Sequence, residues 1–427
     1  MHYLKKASTQ TAADQNMIRP VVKEILDAIQ SGGEEAARDY ANRFDNWEGN
    51  IVVSQTEIAE AGTKLSEQAR QDIAFVHQRV KTFAQAQRDS MHDIEINQDG
   101  VIMGHKHLPV NTAGCYVPGG RYAHIASAIM SITTAKVAGV KHVIACSPAK
   151  AGEGIHPAIL YTMDLCGADS ILALGGVQGV AALANGLFTG HKADILVGPG
   201  NAYVAEAKRL LFGQVGIDLF AGPTESAIIA DSTADPHLVA TDLVSQAEHG
   251  PDSPVWLFTT SRAVAEAVLE QVPVLIEQLP EIAQRAASTA WQNCAEVILC
   301  DSREEVVAIS DQYGSEHLQV LAEDLAWWHA NLTTYGSLFL GEETTVTYGD
   351  KVTGPNHILP TKRAARYTGG LNVSKFLKTV TYQRMTPEAS VELGDVAARL
   401  SRMEGMEGHA RSADARIEKY GILSSSG

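Results

Sequence analysis

Between residues 117 and 226 the chain repeats one pattern, a short uninterrupted apolar run followed by a longer amphipathic one. "KHVIACSPA", "SILALGG" and "ADILVGPG" have the length and composition of buried strands. "HPAILYTMDLCGA", "VQGVAALANGL" and "NAYVAEAKRLLFGQ" have helical spacing. Strands that are apolar on both faces need cover on both faces, and alternating helices supply it. The block therefore predicts parallel βαβ units, closed by "IDLFAGPTESAIIAD" as one or two strands.

A second α/β section begins near residue 227 with "SPVWLFTTS", "AVAEAVLEQV", "AEVILCDSREEVVAISDQYGSEHLQVL" and "GSLFLG". Residues 1–110 read as helical, with Gly32-Gly33 as a break. The predicted plan is a helical N-terminal extension (1–16), a discontinuous outer α/β domain (17–116 and 227–370) and an inserted α/β domain (117–226). A tail from 371 to 427 has too little apolar surface for a core of its own and is expected to dock on a partner subunit.

Bulk properties narrow the function. A formal net charge of −16 over 427 residues argues against nucleic-acid or anionic-membrane partners, so an anionic substrate needs a local basic pocket. The five cysteines are odd in number and lack CxxC spacing, which points to a reducing compartment and no disulfide framework. Cys146 and Cys166, in apolar runs, read as packing residues; Cys115, in "AGCYVPGG", lies near a candidate site but has no activating base in sequence. "MHYLKKASTQ" has no apolar signal core and no run reaches membrane-spanning length, so a cytoplasmic location is expected.

Open α/β sheets bind ligands where strand ends meet glycine-rich turns. Three such turns occur, "YVPGGR" (116–121), "LGGVQG" (174–179) and "VGPGNAYV" (197–204), each before a helix start that favours anions. None is a G-x-G-x-x-G fingerprint, and each alone is ordinary turn chemistry; three on one sheet favour a nucleotide or dinucleotide site. Glu316 and His317 in "GSEHL" could supply a water-activating carboxylate and a proton-accepting imidazole, or merely cap a helix. "SQAEHGPDS" carries Gln246 and His249 three apart, on one helix face. "YGDKVTGPNHILPT" adds Asp350 and His357 in a Gly/Pro-rich loop. "MEGMEGHAR" adds Glu404, Glu407 and His409, with Gly405 and Gly408 weakening the helix. Gln246, His249, Asp350 and His409 form a candidate mixed N/O set for a borderline divalent ion, zinc first; polar helix ends are the plainer reading.

Taken in order, "YVPGG", "GPGNAYVAEAKR", "DLFAGPTE", "SQAEHGPDS", "SEHL", "GPNHILPT" and the distal "E…GH" resemble the histidinol dehydrogenase family over nearly the whole chain. That resemblance implies an α/β fold of two incomplete Rossmann-like parallel-sheet domains, one inserted in the other, in an intertwined homodimer. It implies an NAD- and zinc-dependent enzyme that takes a primary alcohol through an aldehyde to a carboxylate with two NAD per turnover. By matching motif, zinc falls to Gln246, His249, Asp350 and His409, the last from the other subunit. His317 becomes the base for the alcohol and Glu316 the activator of water. NAD contacts fall to Tyr116, Gln178 and Asn201, and substrate contacts to Thr224, His317, His357 and Glu404.

The segment after "YVPGG" departs from the biosynthetic pattern and brings Arg121 and His124 to the mouth of the site. With "ARYTGGLNVSKFLKTVTYQ", it is similar to the sulfopropanediol dehydrogenase branch of that family, which oxidises 2,3-dihydroxypropane-1-sulfonate to 3-sulfolactate. A sulfonate needs charge-assisted donors such as Arg, whereas histidinol carries an ammonium and needs acceptors. Arg121 serves equally as an NAD pyrophosphate contact, and His124 as a packed loop residue. Lys375 and Lys378 read as surface residues. L-Histidinol oxidation and a non-catalytic ligand-binding paralogue stand as alternatives.

Overall fold

The computed structural model describes residues 1–8, 15–119, 123–220 and 222–424. They fall into two compact units: Met1–Arg88 with Val110–Phe376, and Asp89–Pro109 with Leu377–Gly427.

The first unit holds two sheets of one topology. In the smaller, the strand order is Ser170–Ala173, His142–Ser147, Thr112–Tyr116, Ile195–Val197 and Gly216–Ile217, all parallel. In the larger it is Glu296–Leu299, Val255–Thr259, Ser226–Ala230, His317–Leu321 and Ser337–Leu340, again parallel. Each set runs third, second, first, fourth, fifth in chain order, half of a dinucleotide-binding fold with a switch point beside its first strand. "IDLFAGPTESAIIAD" supplies one strand to each sheet, Gly216–Ile217 and Ser226–Ala230.

Several elements differ from expectation. The N-terminal segment is not helical at its start: His2–Lys5 pairs antiparallel with Glu296–Leu299 at the edge of the larger sheet. Thr112–Tyr116, placed before the inserted domain by sequence, is the smaller sheet's central strand; "TAGCY" is too short and small-residued to announce itself. The Gln15–Asp45 helix, broken at Gly33 as its sequence predicts, packs Val22, Ile25 and Ile29 into the smaller sheet's core with Ile144, Leu172 and Leu196. It therefore shares a core with the smaller sheet rather than with the outer domain.

The second unit is an antiparallel sheet of Leu377–Met385, Val101–Pro109 and Ile94–Gln98 with the helices Pro387–Met403 and Glu407–Ser424. The hairpin strands stand where a helical reading was expected: Ile94–Gln98 is exposed throughout and Val101–Pro109 is mostly half-buried, so neither carries the uninterrupted apolar run of a buried strand. Gly405 also has a plain structural reason: at φ 77° it ends the first helix and turns the chain into the second. No described helix is long and apolar enough to cross a membrane.

Candidate active site

A helix that follows a parallel strand runs back along it, so its C-terminus returns to the edge where that strand began. Pro236–Ala247, capped by Asp235 with Pro236 in its first turn, follows Ser226–Ala230 in this way. It delivers Gln246 and His249 to the amino edge of the larger sheet. Asp350, in the helix Val346–Lys351 after the strand Ser337–Leu340, arrives at the same edge. Glu316 and His317 stand there as the entrance of the strand His317–Leu321, not on a helix end.

These groups are brought together. His317 Nδ1 lies 3.6 Å from Glu316 Oε2, and its Nε2 lies 3.4 Å from Asp350 Oδ1. Both contacts are within ion-pair reach, yet neither ring nitrogen makes a hydrogen bond although the ring is buried. His357 is held at both nitrogens: Nδ1–H donates to the Asp350 carbonyl at 2.9 Å, and Nε2 pairs with the Ser127 hydroxyl at 3.2 Å. Gln246 is buried, and its Oε1 is left without a partner.

The electrostatics follow from burial and crowding. Burial pulls His317 down, but Glu316 and Asp350 together outweigh it and hold the imidazole above its usual range. Burial is also the main reason that the Glu316 carboxyl is raised. Asp350 is pushed up by burial but held well below the usual carboxylate range by His317, with His357 and His249 adding to the pull. His249 is exposed, yet the protein packed around its ring lowers it, with Asp350 acting in the opposite sense. His124 is lowered to about 4, first by burial and then by Lys351, His357 and His249, which places it on this site's wall.

Glu225 was not singled out by sequence. It is buried at the entrance of Ser226–Ala230; its N–H donates to Glu316 Oε2 at 3.0 Å and its carbonyl accepts from His317 N–H at 3.1 Å. Its own Oε1 accepts from Lys362 N–H at 2.9 Å while Oε2 has no partner, and burial raises the carboxyl to about 7. A carboxyl raised on folding holds its proton longer in the native state, so its contribution is full below the unfolded value and lost as pH rises toward 7. Glu225→Gln is therefore expected to stabilise the chain relative to wild type by up to about 3 kcal/mol more at pH 8 than at pH 4, measured by urea melts at both.

The smaller sheet presents its carboxyl edge. Tyr116 ends its central strand, and its hydroxyl accepts from Gly176 N–H at 3.2 Å. Gln178 donates to Asp45 Oδ2 at 2.9 Å, and Asn201 caps the helix Ala202–Leu211 through Tyr203 and Val204 N–H. At the switch point Gly198 has φ 116°, and a Cβ there would stand 2.0 Å from the Tyr116 carbonyl oxygen. A buried pair fixes this turn: Asp218 accepts from Gly198 N–H at 2.7 Å, and Lys208, ion-paired to Asp218, donates to the Gly198 carbonyl at 2.9 Å. Lys208→Met leaves that buried carboxylate its main-chain donors but no counter-charge, and is expected to cost about 3 kcal/mol in a denaturant melt.

The two edges face each other through side chains. Ser127, just beyond the smaller sheet's central strand, holds His357, and Asn356 Nδ2 donates to the Met130 carbonyl at 2.9 Å. Met130 lies in the π-helical turn Ile129–Thr133, where irregular winding frees a carbonyl for such a contact. Thr224 is half-buried one residue before Glu225. Arg121 lies outside the described residues. Glu404 caps the helix Pro387–Met403 and His409 is exposed in the first turn of Glu407–Ser424, both in the second unit. Among the described residues no three His, Cys, Asp or Glu side chains form a metal-holding group. Cys115 is buried, and burial pushes its thiol far up, which makes it a packing residue.

Two half-dinucleotide sheets that turn opposite edges toward one buried acid–base pair follow the plan of a pyridine-nucleotide dehydrogenase. The family model for histidinol dehydrogenase matches residues 8–417. The chain belongs to that family, whose members are NAD-dependent dehydrogenases acting on CH–OH groups. It is 57% identical over 421 residues to a sulfopropanediol 3-dehydrogenase of Ruegeria pomeroyi, covering 98% of this chain and 97% of that one. It is 36% identical to a histidinol dehydrogenase of Methanocaldococcus jannaschii, covering 97% and 96%. The crystal structure of histidinol dehydrogenase from Elizabethkingia anophelis superposes with a TM-score of 0.91 at 33% identity, covering 97% of this chain and 95% of that chain.

Proposed function

We propose that this protein is a zinc- and NAD-dependent dehydrogenase that oxidises 2,3-dihydroxypropane-1-sulfonate through an aldehyde to 3-sulfolactate, with two NAD per turnover. The observation that carries this reading is the Ser127–His357 bond. It ties the carboxyl edge of one sheet to the amino edge of the other, so a substrate beside His317 faces a cofactor laid over Tyr116. The similarity to a sulfopropanediol 3-dehydrogenase supports the choice of substrate.

NAD supplies the hydride acceptor, and Tyr116, Gln178 and Asn201 would hold it. His317 takes the hydroxyl proton as the first hydride leaves the alcohol carbon. Glu316, whose Oε2 lies 3.6 Å from the same ring, takes a proton from water as that water adds to the aldehyde. The hydrate then loses a second hydride and a proton, which leaves the carboxylate. Thr224, His357, His124, Arg121 and Glu404 would line the substrate.

The donor set fits a zinc ion: Gln246 Oε1 is a buried oxygen with no other partner, and Asp350 and His249 lie in each other's field. Zinc, once bound, supplies a Lewis acid and an anchor for the vicinal hydroxyls. His409 would come from a second copy of the chain. In the second unit Leu393, Val396, Leu400, Met403 and Met406 are all exposed, an apolar row that suits such a homodimer. Five buried free cysteines suit the cytoplasm.

L-Histidinol oxidation is the second reading, favoured by Glu404, whose carboxylate suits an ammonium. NADH production from each substrate offered alone separates the two, and turnover of histidinol only would overturn the sulfonate assignment. A chain that yields no NADH from any alcohol and carries no zinc would instead be a ligand-binding paralogue.

A further inference from the structure

Lys362 and Arg363 are consecutive residues in the left-handed region, with φ 53° and 62°. Side-chain-bearing residues avoid that region, and where they hold it the surroundings enforce it, often at functional sites. Two bonds enforce it here: Gly222 N–H donates to Thr361 Oγ1 at 2.6 Å, and Lys362 N–H donates to Glu225 Oε1 at 2.9 Å. The turn is thus clamped to the segment Gly222–Glu225, which carries Thr224 and leads into the main-chain groups that hold Glu316 and His317. The lysine arm is laid across this segment, because a Cβ at Gly222 would come within 2.8 Å of Lys362 Cε. Lys362 is exposed, and its charge acts on Glu225, one step from the catalytic pair.

A glycine would take this turn without strain, so a lysine held there calls for a reason in its ammonium. The chain's net charge of −16 makes a local cation necessary for any anionic substrate. We propose that Lys362 is the cation that receives the acidic end of the substrate, a specificity-determining residue beside the reacting carbon. This rests on the sulfonated-diol reading above. An ammonium with three N–H donors matches a sulfonate with three acceptor oxygens, and the neutral end of a diol would not need it.

The test compares wild type with Lys362→Gly, Lys362→Met and Lys362→Arg, using 2,3-dihydroxypropane-1-sulfonate and the neutral propane-1,2-diol as substrates. Loss of the ammonium should raise KM for the sulfonate about tenfold with kcat within about twofold, and Lys362→Arg should recover most of it. KM for the neutral diol should move far less. Calorimetric titration with methanesulfonate, which needs no turnover, should show the same weakening. Lys362→Gly should keep or raise the melting temperature, because glycine relieves the left-handed backbone. A wild type that binds no sulfonate would overturn the substrate assignment. A wild type that binds it no better than a well-folded Lys362→Gly protein would overturn the role of the lysine alone. Parallel losses on both diols would show that Lys362 only shapes the loop, and would overturn it too.

Discussion

His317→Asn is expected to slow the first oxidation by about 10³-fold, the loss typical of removing a positioned general base. The asparagine can fill the ring's volume but cannot accept the hydroxyl proton. Glu316→Gln should behave differently. It keeps an acceptor for Glu225 N–H, now 3.0 Å from Glu316 Oε2, so the strand entrance survives. It loses the carboxylate that activates water, so oxidation of supplied aldehyde should fall further than oxidation of alcohol. Single-turnover NADH formation from alcohol and from aldehyde separates the two steps. Equal losses of both steps in each variant would contradict this division of labour.

Chelation should abolish turnover while leaving NADH binding intact. The reasoning rests on Gln246 and Asp350. A buried amide oxygen without a partner carries a desolvation cost of about 1–3 kcal/mol, which a cation would remove. Asp350, 3.4 Å from His317 Nε2, helps hold that imidazole in its charged form, in which it cannot accept a proton. A cation on Asp350 would draw that carboxylate's charge and release the ring to act as a base. His249→Ala should weaken zinc binding by more than about 100-fold, read by elemental analysis after dialysis. Full zinc retention in that variant, or undiminished turnover by the zinc-free protein, would remove the metal from the reaction. NADH fluorescence titration supplies the control, since the residues proposed to hold the dinucleotide, Tyr116, Gln178 and Asn201, belong to the other sheet.

The parallel strands were legible because burial on both faces writes uninterrupted apolar runs such as "HVIACS" and "ILALGG". Thr112–Tyr116 was not, since a central strand lined by Gly114 and Cys115 has little side chain to show. His2–Lys5 was hidden for another reason: its partner lies at Glu296–Leu299, and pairing across that separation leaves no local trace. In the site, Gln246 and His249 could be found from their spacing, although the shared helix face expected of them is not formed: the helix ends at Ala247, and His249 stands in the turn beyond its Glu248 cap. Glu225 and Lys362 could not. Their importance lies in a bond from the Lys362 main-chain N–H to the Glu225 carboxylate, 137 residues apart, and in a backbone angle, neither of which a residue type announces. Likewise the Asp45 partner of Gln178 stands 133 residues away on a helix that reads as ordinary amphipathic sequence.

The irregular turn at Ile129–Thr133 fastens a helix of the smaller sheet to the loop that carries His357. The Met130 carbonyl accepts from Thr134 Oγ1 at 2.6 Å and from Asn356, a neighbour of His357, at 2.9 Å. Rewinding that turn into a regular helix would pull on the stretch carrying His357. If the reaction proposed above holds, a dinucleotide that shifts this first helix would also shift the loop that carries His357, so exchange of the cofactor would be felt at the substrate's side of the cleft.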